Sequence, residues 1–290
     1  MNNLQGEPKR ISRRTFLKKS TKLYLGFIAA SSMLGGYSYR IERFWYEIKK
    51  INLKVKNLPA AFEGWKIVQF SDIHMGFHYD SDEFKPVVKM INDLQPDIIF
   101  FTGDLIQAGN MQPDRYIPIL QEIKAGRGGK WAVIGNHDMS IKNWVVSALQ
   151  KSQFEVLENR YDFIEADGMR LYIAGIDDAM YGFPNIAKAV EGIPQNSCVL
   201  FLAHEPDIAD KSCKYPISAQ FSGHSHGGQV RLPYFGSIIK QKMAEKYADG
   251  LYHVGDSQMA LYVNRGIGTT NLPIRFLCRP EITVFHLKKA

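Results

Sequence analysis

The chain has 290 residues, of which 45% are hydrophobic, enough to bury one sizeable core. Its formal net charge is +7, but residues 1–50 hold eleven lysines and arginines against three acidic residues, so the rest of the chain sums to −1. This near-neutral body excludes the broad cationic surface that nucleic-acid binding requires, and no nucleic acid is expected as a partner. Three widely spaced cysteines with no CxxC pair predict neither a disulfide framework nor a zinc knuckle.

The N-terminal segment has the composition of a targeting signal. Arg13 and Arg14 are followed by Phe-Leu-Lys and then by residues 23–39, an apolar stretch diluted by glycine and serine. This order resembles a twin-arginine translocation signal; the alternative is the basic flank of an ordinary membrane helix. We therefore predict a signal and possible membrane anchor over residues 1–45 and one catalytic domain over residues 46–290. The resemblance implies export by the twin-arginine translocase to the outer face of the cytoplasmic membrane or the cell wall, with the N-terminal segment contacting the membrane.

The body alternates strands and helices at the front and is richer in strands behind, with a polar connector predicted over residues 47–56. Helices are predicted at 82–94, capped by Ser81, and at 115–125 and 143–152. Apolar runs predict eight strands, at 67–70, 98–102, 131–134, 171–176, 199–203, 220–222, 261–264 and 282–287. This order favours an α/β sandwich of two mixed sheets flanked by helices.

Polar segments follow five of these strands directly. They contain, in chain order, Asp72 and His74, then Asp104, then Asn136 with His137 and Asp138, then His204, and finally His224 and His226. Because ligands of α/β sheets bind beyond the carboxyl ends of strands, we expect the five segments to converge on one crevice.

These residue types suit a pair of divalent metal ions. Two cations about 3.5–4 Å apart need imidazole and carboxylate ligands and one ligand that touches both ions, for which Asp104 is the natural candidate. The i, i+2 spacing of Asp72 with His74, and of His224 with His226, lets two side chains in one loop reach adjacent coordination positions. Five of the eight histidines fall in these segments, so their clustering favours chemistry over composition.

The ordered set D-x-H, GD, GNHD, H and GHSHGG, from about Lys66 to Gln229, resembles the calcineurin-like metallophosphoesterase superfamily. The segments 175–178, 223–229, 264–268 and 272–275 resemble its subgroup of exported or membrane-attached bacterial phosphodiesterases, which includes enzymes of the UDP-2,3-diacylglucosamine pyrophosphohydrolase type. The resemblance implies a four-layer α/β/β/α sandwich preceded by a signal or anchor helix. It also implies the ligand sets: Asp72, His74 and His226 for one metal, Asn136, His204 and His224 for the other, and Asp104 between them.

The expected reaction is hydrolysis of a phosphoester by hydroxide that two divalent transition-metal ions, Mn, Zn or Fe, generate near neutral pH. His137 is predicted to stabilise developing charge or protonate the leaving oxygen. Asp138 is predicted to orient the ring of His137, with a plain surface carboxylate as the alternative. Arg265, Arg275 and Arg279 are candidate phosphate contacts.

The favoured substrate is a phosphodiester or pyrophosphate linked to a lipid, a nucleotide or a cell-wall polymer. Two alternatives remain at this level: a phosphomonoesterase of the same fold, and a catalytically weak scaffold that only binds metal. The complete set of ligand types speaks against the scaffold.

Overall fold

Two six-stranded mixed β-sheets form the centre of the molecule. The structure is a computed structural model that describes residues 12–107, 109 and 112–290; the first eleven residues of the predicted signal lie outside the described residues. The strands are β1 (Glu47–Val55), β2 (Lys66–Phe70), β3 (Ile98–Phe101), β4 (Lys130–Ala132), β5 (Phe154–Val156), β6 (Arg160–Ala166), β7 (Met169–Gly175), β8 (Val199–Leu202), β9 (Ala219–Ser222), β10 (Arg231–Leu232), β11 (Gly236–Ser237), β12 (Gly250–Val254), β13 (Met259–Val263) and β14 (Glu281–Lys289). The α-helices are α1 (Arg13–Arg40), α2 (Ser81–Asp93), α3 (Ile117–Gln121), α4 (Lys142–Lys151), α5 (Ile186–Ala189) and α6 (Ala209–Ser212).

Each sheet contains a run of parallel strands and at least one antiparallel pairing. The first sheet has the order β1-β14-β2-β3-β4-β5, in which only the β14–β2 pair is antiparallel. The second has the order β12-β13-β9-β8-β7-β6, in which the two outer pairs are antiparallel and the inner three are parallel. The carboxyl ends of the parallel strands of each sheet therefore lie along one edge.

The sheets pack face to face and helices cover their outer faces. Phe100 of β3 and Phe221 of β9 meet between the sheets with ring centroids 5.0 Å apart. A second apolar cluster joins the first sheet to α2, α3 and α4, and a third joins the second sheet to α5 and α6. The predicted four-layer α/β/β/α sandwich of two mixed sheets is confirmed.

All eight predicted strands are present, with ends shifted by a few residues. The predicted helix at 82–94 is α2, but Asp80 and Glu83 form its capping box, so the prediction of Ser81 as the cap was wrong. The predicted helix at 115–125 is a 3-10 turn followed by the shorter α3.

The predicted polar connector at 47–56 was also wrong. It contains β1, which pairs along its whole length with β14. β1 is an edge strand with exposed lysines on one face, and its alternating pattern buries only Leu53 and Val55. A half-exposed edge strand of this kind has too few apolar residues for a hydrophobic run to reveal it.

Helix α1 is exposed along most of its length, and its C-terminal end contacts the body. The Ser38 carbonyl accepts a hydrogen bond from the Arg275 N–H, and the Glu42 carboxylate accepts one from the Cys278 N–H at 2.7 Å. Among the described residues, no helix combines the length and apolarity needed to cross a membrane.

Candidate dimetal centre

The predicted ligands lie together where the parallel strands end. Asp72 and His74 follow β2, Asp104 follows β3, Asn136 follows β4, His204 follows β8, and His224 and His226 follow β9. Five of them have left-handed backbone angles, with φ between +50° and +67°: Asp72, His74, Asp104, His224 and His226. Non-glycine residues in this conformation are strained by about 1–3 kcal/mol each, and such strain concentrates at functional sites.

One ligand group consists of Asp72, His74 and His226, all buried. The Nε2 atoms of His74 and His226 are 2.9 Å apart, and Oδ1 of Asp72 lies 3.4 Å from Nε2 of His226. Burial lowers the pKa of His74 to about 3 and that of His226 well below its usual range, which favours neutral rings. Two imidazole nitrogens converging beside a carboxylate fit a divalent cation.

The second group consists of Asp104, His204 and His224. Nε2 of His204 lies 3.2 Å from Oδ2 of Asp104 and 3.2 Å from Oδ1 of Asn136, while its Nδ1 is 2.6 Å from the Thr102 carbonyl oxygen. Burial alone would lower the pKa of His204, but the charge of Asp104 raises it well above the ordinary value. The same negative charge attracts a metal cation.

His224 is oriented by a backbone contact. Its Nε2 donates to the Lys242 carbonyl at 2.7 Å, which leaves Nδ1 as the atom able to bind a cation. Burial lowers the pKa of His224 to about 4.

Asp104 connects the two groups, because it also forms a third candidate group with His74 and His137. Its Oδ2 lies 3.5 Å from Nε2 of His74 and 3.2 Å from Nε2 of His204, and its Oδ1 accepts from the His137 N–H at 2.8 Å. Burial would raise the pKa of Asp104, but the surrounding histidines, His204 above all, lower it well below the usual range. A carboxylate in this position has the geometry of a ligand that two cations share.

Two glycines allow this approach of the loops. A side chain at Gly135 would collide with the carboxylate of Asp104, and one at Gly223 would collide with Ser71 and Asp72. With no Cβ at 223, the next N–H, that of His224, donates to Oδ2 of Asp72 at 3.0 Å.

Asp138 is buried, so the alternative of a plain surface carboxylate was wrong. Its buried carboxylate accepts hydrogen bonds from the backbone N–H groups of Leu105, Ile106 and Gly135, at 3.1–3.2 Å. These contacts tie the loop that carries Asp104 to the loop that carries Asn136. They favour a role for Asp138 in positioning the two loops.

The three candidate phosphate-binding arginines are structural, and this prediction was wrong. Arg275 is fully buried, and its guanidinium donates to the carbonyls of Arg265, Gly266, Gly268 and Cys278. Arg265 pairs with Glu47 and Glu281, and Arg279 donates to the carbonyls of Trp45 and Tyr46. Arg265 and Arg279 thus fasten the segment 265–280 to residues 45–47, and Arg275 holds that segment together.

Sequence reasoning missed one buried acidic residue beside the site. Glu205 directly follows His204, and its Oε2 accepts from the Ala179 N–H at 3.0 Å, which holds the loop after β7 near the ligands. Burial, and then the neighbouring Asp178, raise the pKa of Glu205 well above its ordinary value. The only sequence signal for Glu205 was its position directly after the predicted ligand His204, in the sequence His-Glu-Pro.

Comparison with known proteins agrees with this site. The family described as calcineurin-like phosphoesterase matches residues 66–228, which contain every predicted ligand. The chain is 39% identical to the uncharacterized metallophosphoesterase YkuE of Bacillus subtilis, over 97% of this chain and 99% of that protein. It is 28% identical to phosphodiesterase YaeI of Escherichia coli, over 96% and 99% of the two chains.

A further relative carries a more specific name. The chain is 28% identical to the UDP-2,3-diacylglucosamine pyrophosphatase LpxG of Chlamydia trachomatis, over 89% of this chain and 94% of that protein. The family match covers more than half of the chain and contains the whole ligand cluster. The chain is therefore a metallophosphoesterase of the calcineurin-like phosphoesterase family.

Proposed function

We propose that this protein hydrolyses a phosphodiester or pyrophosphate bond at a centre of two divalent metal ions. The observation that carries the proposal is the position of Asp104, whose carboxylate lies within 3.5 Å of one histidine from each ligand group. A pair of cations requires a ligand that can contact both of them, whereas a single metal ion does not. The arrangement is also buried, so the interaction between cations and ligands is strong.

The proposed ligand sets follow the two groups. Asp72, His74 and His226 would hold one ion, Asn136, His204 and His224 the other, and Asp104 both. When bound, two such ions supply a nucleophilic water at neutral pH and neutralise phosphoryl oxygens. The donor set suits Mn, Zn or Fe.

His137 is the proposed acid. It lies beside the centre, with its ring 4.7 Å from that of His74 between centroids and nearly perpendicular to it. Its backbone is held by Asp104, so its side chain is positioned to donate a hydrogen bond or a proton to an oxygen of the substrate.

The names of two relatives support a diester or pyrophosphate substrate, and one of them names a nucleotide-linked lipid. A cell-wall polymer is a further candidate. The site of action we propose is the outer face of the cytoplasmic membrane or the cell wall. That proposal depends on Arg13 and Arg14, which are exposed in the first turn of α1 and available to a translocase.

The test is turnover by purified protein of known metal content. We expect close to two metal ions per chain and faster hydrolysis of bis-p-nitrophenyl phosphate than of p-nitrophenyl phosphate, both abolished by chelation. A UDP-linked diacyl lipid and a teichoic-acid fragment then separate the substrate classes. Full activity in metal-free protein would refute the dimetal centre, and a preference for the monoester would refute the diester assignment.

A further inference from the structure

An exposed apolar surface projects from the loop that carries His224 and His226. It comprises Leu232, Tyr234, Phe235, Ile238, Ile239 and Leu272, here called the apolar lip. Tyr234 and Phe235, at the tip of the β10–β11 hairpin, are fully and 85% exposed respectively. Large apolar side chains grouped in this way on a surface mark an interaction site more often than scattered ones do.

The hairpin is held firmly at its base. Val230 bridges to Phe276, and the Arg231 N–H donates to the Phe276 carbonyl at 2.9 Å. Gly228 lies so close to Ser237 that a side chain at 228 would collide with it. Since Gly228 is two residues from His226, the position of the lip is fixed relative to the metal ligands.

The exposed charges beside the lip are mainly basic. Lys240 and Lys242 are exposed, and no aspartate or glutamate occurs in residues 226–244 or 266–280, although Arg231 is paired with Asp249 at 2.8 Å and the exposed Glu245 lies just beyond the lysines. Apolar side chains flanked by exposed lysines complement a surface that has an apolar interior and anionic head groups.

The lip is also next to the base of α1. Its Leu272 is followed by the Pro273–Cys278 stretch, which contacts the end of α1 through Ser38 and the adjacent turn through Glu42 and Arg43. The N-terminal helix, the lip and the metal-ligand loop are therefore neighbours.

We infer that the apolar lip inserts into an anionic lipid bilayer and holds the metal centre against the membrane surface. The tip is convex and its aromatic side chains project into solvent, which suits insertion among lipid head groups, where tyrosine is favoured, better than enclosure of a single acyl chain. The inference goes beyond the proposed function, because it assigns a second binding surface with lipid as its ligand.

The experiment measures how deeply two labelled positions of the full-length, metal-loaded chain enter the bilayer of lipid vesicles. An environment-sensitive nitrobenzoxadiazole label is placed at Phe235→Cys, in a Cys213→Ser background, because the other two cysteines are buried. The matched control is Met169→Cys, an exposed apolar residue in the β6–β7 hairpin at the opposite, amino end of the parallel strands. Vesicles contain either phosphatidylcholine alone or phosphatidylcholine mixed with phosphatidylglycerol.

With phosphatidylglycerol present, we expect blue-shifted emission at position 235 and quenching by nitroxide on the acyl chains, with neither effect at 169. Lys240→Gln combined with Lys242→Gln should raise the lipid concentration needed for the half-maximal shift. An unchanged label at 235 in vesicle-bound protein would show attachment through α1 alone and overturn the inference. If the emission of the label at 235 shifted at high protein concentration without vesicles, a second copy of the chain would be the occupant of the lip. That result would also overturn the inference. Because neither readout uses turnover, failure here is distinct from failure of the proposed catalysis.

Discussion

Oδ1 of Asp104 accepts a hydrogen bond from the backbone N–H of His137 at 2.8 Å. The other oxygen of the same carboxylate points to the histidines of both ligand groups. One side chain thus connects the proposed metal ligands with the proposed acid. Substitutions at positions 104 and 137 should nevertheless separate the two roles, because only the side chain of Asp104 is proposed to touch both cations.

Asp104→Asn should lose bound metal and activity together. The amide keeps the shape of the carboxylate but removes the negative charge that the two proposed cations share. We expect the rate to fall by more than about 100-fold, because substitution of a residue that only contacts a metal ligand already costs about 10–100-fold. Elemental analysis and diester hydrolysis on the same samples measure both. Asp167→Asn, at an exposed turn, is the matched control and should change neither. Full metal occupancy in Asp104→Asn would contradict the bridge.

His137→Ala should keep both metal ions and lose rate by about 10²–10⁴-fold, the usual contribution of a positioned acid or base. Its ring is close to His74, so a ligand role is the competing explanation, and metal content decides between them. Metal loss equal to that of Asp104→Asn would make His137 a ligand.

Asp138→Ala should destabilise the fold and loosen the metal centre. Three buried backbone N–H groups lose their acceptor, and unsatisfied buried donors cost about 1–3 kcal/mol each before relaxation. We expect the free energy of unfolding in urea to fall by about 3 kcal/mol. Metal affinity should fall as well, since the loops of Asp104 and Asn136 are no longer joined. Unchanged stability would assign Asp138 to chemistry instead.

The ligand segments could be predicted because each follows a strand directly. The carboxyl ends of parallel strands meet at one edge, so local sequence was enough to bring Asp72, Asp104 and His204 together. The roles of the arginines could not be predicted, because their partners are set by distant packing. Arg265, for example, pairs with Glu47, 218 residues away in sequence.

Six of the fourteen strands in the described part of the chain escaped prediction, and for β1 and the β10–β11 hairpin the reasons are related. β1 exposes one face at a sheet edge, and its lysines conceal the buried Leu53 and Val55. The β10–β11 hairpin has only two paired residues per strand, and its apolar tip faces solvent, so burial does not account for its sequence. A hydrophobic pattern identifies strands through the core that they contact, and these elements contact little of it.

Lys130→Met should change how stability depends on pH. Lys130 is buried, its Nζ donates to the Ile123 carbonyl, and burial lowers its pKa from 10.5 to about 8. Between about pH 8 and 10.5 residue 130 therefore binds more protons in the unfolded chain than in the folded one, so the contribution of Lys130 to stability rises with pH. Lys130→Met has no titrating group at this position. Its free energy of unfolding should therefore fall, relative to that of the wild type, between about pH 8 and 10.5.

Urea unfolding at pH 7, 8, 9 and 10 measures the effect of Lys130→Met. The same substitution at the exposed Lys124 is the control and should leave the pH dependence of the wild type intact. A constant difference between Lys130→Met and the wild type at all four values would contradict the assignment of a lowered pKa to Lys130.

Arg13→Lys combined with Arg14→Lys should leave folded, metal-loaded enzyme in the cytoplasm with nearly unchanged turnover. The pair lies in the first turn of α1, exposed, and no residue before Lys50 belongs to the proposed metal centre. Charge is conserved in the variant, so a basic membrane flank would work as before, whereas a receptor that reads arginines would not. The control, Lys18→Arg with Lys19→Arg, keeps the pair and should be exported like the wild type. Fractionation of cells with a diester assay on each fraction measures the outcome. Wild-type activity in the cytosol, or the same distribution for the double-lysine variant and the wild type, would show that the segment is an ordinary basic flank.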